Sequence, residues 1–382
     1  MRILTTLFIL GWSCVPAFGQ VERIWLSHRS NDPSKLVVNW TTKTPGDSRV
    51  RYGTSPDYDR EAHIPGERTL HHVEIPLTER DTIYHYSVST GDQTSSDATF
   101  QAYPSQTLRI AVVANWQARP NLAALEKDRP HLLLTGGDHI DSLWQKCGPG
   151  VKDCFTPFAQ LIDAYPTLFR STPFLPVLGN HDREIRPRGD KPPTEPVYDV
   201  DATAFRRFFE LPDDEWKWRF DLPDFSLRLV ALDFNHTSDH GTTWQSCHAY
   251  QDDSEQFVWY KNLISQPNPG FVVTVYNERH ANVRGQANGA WRELFKKGSA
   301  CITGFGHFAE RAQFDGVHYF NTSLQGRGAQ YPDPHSQAVY SENNYLLLTV
   351  SREPRTLTVE IKNLDGKTLD RTLIEPVRVS RP

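Results

Sequence analysis

Five apolar runs in this chain each break off directly into a polar cluster. Ala114 is followed by Asn115-Trp116-Gln117, Thr135 by Gly136-Gly137-Asp138-His139-Ile140-Asp141, and Leu178 by Gly179-Asn180-His181-Asp182. Tyr276 is followed by Asn277-Glu278-Arg279-His280, and Thr303 by Gly304-Phe305-Gly306-His307-Phe308-Ala309-Glu310-Arg311. Where helices flank a sheet, the loops that leave its strands converge on one crevice, so five such ends rich in Asp, Asn and His point to a common site. A single end of this kind would read as a turn.

The runs that feed these ends, at residues 109–114, 131–135, 174–178, 271–276 and 300–303, are apolar enough for strands buried on both faces. Helical stretches fall near 122–127 and 155–169, another strand-like run lies at 227–232, and 345–350 with 357–361 reads as a closing antiparallel pair. The first part of the chain has a different texture. Short β-runs at 36–40, 49–52, 72–75 and 83–89 are broken by Asn31-Asp32-Pro33, Pro45-Gly46-Asp47 and Gly91-Asp92, with no amphipathic helix. That pattern predicts a small β-sandwich with Trp40 and Tyr84 in its core.

Met1-Arg2, the apolar residues 3–15 and Ala17-Phe18-Gly19 have the order of a secretory leader cut before Gln20, and the run is too short to span a bilayer. The expected division is therefore 1–19 signal peptide, 20–104 β-sandwich and 105–382 a larger α/β domain, in a secreted or periplasmic protein. Export would carry Cys147, Cys154, Cys247 and Cys301 into an oxidising compartment, where disulfides form. Gly148-Pro149-Gly150 allows Cys147 to meet Cys154, although four cysteines permit three pairings. The formal net charge of −5 leaves no global basic field for nucleic acid or an acidic membrane, so any anion site is local.

The order Gly137-Asp138, Gly179-Asn180-His181-Asp182 and Gly306-His307 resembles the motif set of calcineurin-like metallophosphoesterases. A β-sandwich placed ahead of it resembles the layout of purple acid phosphatases. The resemblance runs from about residue 21 to the C-terminus and implies an α+β protein. Its fold would be an N-terminal fibronectin-III-like β-sandwich followed by a layered α/β-β/α sandwich. In that family two metals share the Gly-Asp carboxylate and a water that attacks phosphorus, the pair polarising the phosphoryl group. Carried over residue by residue, Asp138 is the bridge, Asn180 an amide ligand, His181 the acid, Asp182 its orienter and His139 a substrate contact.

Three family ligands are changed here. Asn115 stands in place of the first aspartate, Asn277 in place of a lone histidine and Ala309 in place of the second histidine of Gly-His-x-His. One ion would keep Asp138 with Gln117 and Asp141, while the other would keep Asp138, Asn180 and His307 with Asn277 as a neutral oxygen. The expectation is at most one divalent ion, Mg²⁺, Mn²⁺, Ca²⁺ or Zn²⁺, with hard ions favoured by the oxygen-rich set. A metal-free cleft of mutually hydrogen-bonded side chains is the alternative.

Arg183, Arg279, Arg311 and His280 lie on the same strand ends, and the insert at 183–196 adds Arg186, Arg188 and Lys191. Guanidinium groups suit phosphate, sulfate or carboxylate, so these residues are expected to bind an anionic substrate. The leading reading is a hydrolase of a phosphate-type ester, and sulfate-ester cleavage is a variant of it. The other reading is a catalytically silent relative that binds an anionic glycan or a protein. Asn39-Trp40-Thr41, Asn235-His236-Thr237 and Asn321-Thr322-Ser323 fit the glycosylation acceptor.

Overall fold

A computed structural model describes residues 21–376 apart from 268–269 and 329–330. The expected leader lies outside the described residues. In the first domain the runs at 36–40 and 49–52 are one strand, Lys35–Gly53, and the Pro45-Gly46-Asp47 break lies inside it. Pairing with strand Arg60–Pro76 slips register between Thr41 and Gly46 and again before Ser48, which bends the long hairpin. The half of Lys35–Gly53 before the bend also pairs with Val21–Ser27, and the half after it with Ile83–Thr90.

The result is one six-stranded antiparallel sheet that continues through the bend. Trp40 and Tyr84 are fully buried in its core with Tyr86 and Phe100, as expected.

Two sheets build the second domain. One has six strands in the order Thr368–Ile374, Thr356–Asn363, Asn344–Ser351, Thr107–Val113, Leu132–Thr135 and Phe174–Leu175, the last three parallel. The other has seven, and its parallel centre is Leu227–Ala231, Phe271–Tyr276, Ala300–Thr303 and Val317–Asn321. Apolar side chains of both sheets, such as Ile110 and Leu133 against Val273 and Ile302, belong to one core, so the sheets form adjacent layers. The stretch expected as a single helix at 155–169 is two, Thr156–Ala164 and Pro166–Ser171, because proline disfavours helical backbone at Tyr165 before it.

The domains are joined by real packing. Trp25 of the first stacks on Phe208 of the second at 4.3 Å, Arg23 pairs with Asp163 at 2.9 Å, and the Tyr86 hydroxyl donates to the Arg170 carbonyl. Cys147 and Cys154 form a disulfide. Cys247 and Cys301 do not pair with each other: both are buried free thiols, each pushed up to about 12 by burial. Asn39, Asn235 and Asn321 are no more than 1% exposed, and their amide nitrogens donate to the carbonyls of Trp25, Leu178 and Phe305. None of the three acceptor sequences is therefore open to a glycan in the folded chain. Among the described residues no helix is long and apolar enough to cross a membrane.

Candidate functional site

The five strand ends do meet. The Asn115 N–H donates to the Gly137 carbonyl at 3.1 Å, and the Asn115 side-chain nitrogen donates to the Gly304 carbonyl at 2.6 Å and to Ser323 Oγ at 3.1 Å. Asn277 donates through its side chain to the Gly136 carbonyl, and the His181 N–H to Asp138 Oδ1 at 3.2 Å. Gln325 links Asn115 and Gln117, while Arg327 N–H reaches the His307 carbonyl at 2.8 Å. This closeness demands glycine: a Cβ on Gly179 would collide with the Asp138 carboxylate, and one on Gly304 with Ala114. Asn115, Asp138 and His307 take left-handed backbone, with φ of 54°, 61° and 57°. Each such residue costs about 1–2 kcal/mol, and here the surrounding hydrogen bonds hold it in place.

His181, partly exposed, and the buried Asp138 form the centre of the site. His181 Nδ1 donates to the Asp141 carbonyl at 2.6 Å, and Glu184 lies 3.6 Å away. Burial acts to lower the imidazole pKa, but Asp138, the Asp141 carbonyl and Glu184 outweigh it and raise the pKa above its ordinary value. Burial raises Asp138, against the pull of His181 and with the push of Asp182. Opposite them is His307, whose Nδ1 is buried without a partner. Burial, Arg327 and His181 all lower its pKa.

Several expected roles need correction. Asp182 does not orient His181. Its carboxylate accepts the backbone N–H groups of Gly179, Asp138 and His139 and lies 2.8 Å from His139 Nδ1. His139 is not a substrate contact: it is 2% exposed, bonds Thr135 Oγ1 at 2.6 Å and is packed among Phe174, Phe205 and Phe209. Asp141 serves through its carbonyl: its side chain is exposed, and its carboxylate makes no hydrogen bond or ion pair among the described residues.

The basic residues also go elsewhere. Arg183 is fully buried and grips Asp233 with two hydrogen bonds, at 2.6 and 3.1 Å, because a guanidinium inside a protein needs a carboxylate. His280 is enclosed between the Tyr276 hydroxyl and the Phe320 carbonyl, and burial pushes it down to about 4. Arg311 pairs with Asp370 at 2.6 Å on a distant strand, and Arg279 donates to the Pro332 carbonyl at 3.0 Å.

Other residues take their place. Tyr198 shares a hydrogen bond with the Asn180 side chain and lies 3.5 Å from Arg188. Arg188 pairs with Asp239 at 2.6 Å and covers the Trp244 ring at 4.5 Å. His236, pushed down to about 4 by burial and then by Arg188, feels the charge of His181. Of these, Arg188 carried a signal in the basic insert. Tyr198 and Arg327 sit on loops with no motif around them, and His236 sits in the Asn235-His236-Thr237 acceptor pattern, which gives no hint of a site.

The donor chemistry does not fit a pair of divalent ions. Among the described residues no group of three or more His, Cys, Asp or Glu side chains is arranged to hold a metal. The amide nitrogens of Asn115 and Asn277 fasten neighbouring loops, and Ala309 is a buried strand residue with nothing to donate. Asp138, which accepts the His181 N–H, and Glu184, 3.6 Å from the His181 ring, are the carboxylates beside His181. Asp138 feels the positive charge of His181, and with amides at 115 and 277 the site carries too little negative charge for a tightly held pair of ions.

Residues 109–309, just over half of the chain, match the calcineurin-like phosphoesterase family, and the chain belongs to that family. Its fold is similar to the purple acid phosphatase PPD1 from seeds of yellow lupin (Lupinus luteus), with 14% identity over 92% of this chain and 73% of that one, at a TM-score of 0.65. It is also similar to a structure titled PhoD, with 13% identity over 94% of this chain and 92% of that one, at a TM-score of 0.63. No curated protein matches the sequence.

Proposed function

We propose that this chain is an exported protein that binds a phosphate-type anionic ester in the strand-end crevice and has lost the two-metal hydrolysis of its family. The observation that carries this reading is the use of Asn115 and Asn277. At positions where metal ligands are expected, both side chains donate to backbone carbonyls of neighbouring loops. An anion suits what is left: an imidazole with a raised pKa at His181, and His307, with an unpartnered buried Nδ1, close enough to feel the charges of both His181 and Arg327. The leader-like first residues and the Cys147–Cys154 disulfide support export to an oxidising compartment.

One observation favours slow hydrolysis as a second reading. A carbonyl only accepts, so His181 Nδ1 carries the proton in its bond to Asp141, and Nε2 is left to exchange one with an ester.

Metal content of protein purified without chelators, hydrolysis of p-nitrophenyl phosphate with and without added Mn²⁺, and calorimetric binding of inorganic phosphate test both readings. We expect less than one metal per chain, no Mn²⁺-dependent turnover, and phosphate binding that weakens in His181→Ala. Two metals per chain with Mn²⁺-stimulated turnover overturns the proposal. Turnover without metal that is lost in His181→Ala selects the second reading.

A further inference from the structure

A cavity of about 650 Å³ lies where the two domains meet, and none of the residues that line it belongs to the crevice. One wall is the bent hairpin of the first domain, with Arg68 and Leu70. The other is Phe155, the helix Thr203–Phe209 with Arg206 and Arg207, and the loop that carries Glu215. Its size falls in the range of small-molecule sites, roughly 300–1,000 Å³.

The charge in this cavity is unbalanced. Arg68, Arg206 and Arg207 form no ion pair among the described residues, and Arg206 Nε is buried with no partner. The nearby acids do not compensate. Glu210 is engaged by Arg29 at 3.4 Å. Glu215 has a buried, unpartnered Oε2, and burial, with Glu210 adding to it and Arg206 opposing, pushes its carboxyl up to about 7. Glu67 is left, exposed at the lip. Three guanidinium groups therefore converge from two domains on a space that also offers the Phe155 ring and Leu70.

Guanidinium forks bind oxyanions bidentately, whereas an aromatic ring and an aliphatic side chain cover apolar C–H faces. A sugar ring bearing acidic groups presents both surfaces at once, and inorganic phosphate would leave most of the volume unfilled. We propose that this interdomain cavity binds an acidic sugar, a mono- or disaccharide that carries sulfate or carboxylate groups. The site is independent of the crevice.

Calorimetry at low salt with the full chain tests it, using a sulfated uronate disaccharide, its unsulfated form and maltose. The sulfated disaccharide is expected to bind and maltose not to, and binding of the unsulfated form says whether carboxylate alone suffices. Arg206→Ala/Arg207→Ala should weaken binding at least about tenfold, since each lost charge-assisted contact is worth more than a neutral one. Arg68→Ala, on the opposite domain, should weaken it too and serves if the double variant fails to fold. His181→Gln should leave it unchanged. No binding by the wild type, equal binding of maltose or unaltered affinity in the arginine variants overturns the proposal. Loss of binding in His181→Gln does so as well, because it moves the ligand to the crevice.

Discussion

Asp182 and His139 approach each other to 2.8 Å with both side chains fully enclosed, and the same carboxylate accepts three backbone N–H groups from two different loops. Burial alone would raise its pKa, but the His139 charge and the N–H donors hold it below the ordinary carboxylate value. The acid thus locks the Gly137-Asp138 loop onto the Gly179-Asn180 loop and fixes where Asp138 points.

Asp182→Ala should therefore act on stability. It leaves three enclosed backbone N–H donors without an acceptor and His139 Nδ1 without the oxygen it faces, which costs about 3–5 kcal/mol. Denaturant unfolding measures it. A loss under about 1 kcal/mol would mean that the carboxylate does not hold the two loops together.

Arg183 gives the second prediction. Its partner Asp233 is pulled down to about 2, burial opposing and Arg183 with His248 prevailing. A carboxyl whose folded pKa is depressed contributes stability above its unfolded value of about 4 and loses it as pH falls toward 2. The wild type should lose stability across that acid range. Arg183→Met should cost about 3–5 kcal/mol at neutral pH, since Asp233 is left buried and unpaired. Phosphate binding by the fraction that stays folded should not change. A stable Arg183→Met protein with lost phosphate affinity would return Arg183 to the substrate.

Much of this organisation was legible in the chain. Apolar runs that end in polar clusters locate strand ends well, because a buried strand must be apolar and its exit loop must not be. That rule found Asp138, Asn180, His181 and His307, all of which lie in the crevice. It failed for Arg183, His139 and His280, which the same loops turn inward. Sequence spacing cannot tell which way a side chain leaves an irregular loop; the partners of Arg183 and His280, Asp233 and Phe320, come from elsewhere in the chain, and Thr135 holds His139 from the strand that feeds its own loop. That 36–40 and 49–52 form one strand was missed for a related reason: Pro45-Gly46-Asp47 reads as a turn, and the pairing that carries the strand through it is long-range.

Glu215 supplies a prediction with the opposite sign. Its folded carboxyl is raised to about 7, so the protonated form is the one the fold favours. The associated stability is complete below the unfolded value of about 4.3 and is lost as pH rises through 7. Glu215→Gln keeps the neutral form at every pH. It should gain on the wild type in melting temperature at pH 8 relative to pH 5, and an equal difference at both values would show that the cavity tolerates the charge.

The last prediction concerns Asn115, where the family reading expects an aspartate. Here the side-chain nitrogen donates to the Gly304 carbonyl at 2.6 Å and to Ser323 at 3.1 Å. Asn115→Asp would set a carboxylate oxygen against that carbonyl and remove both donations, at a cost of about 1–3 kcal/mol. If the loops have closed around the amide, Mn²⁺ cannot recover the loss, because Ala309 and Asn277 supply no further anionic or imidazole ligand. The variant should melt below the wild type by the same margin with and without Mn²⁺. A melting temperature restored by Mn²⁺ would reveal a cation site that one carboxylate is enough to reopen, and the metal-free reading of the crevice would then fail.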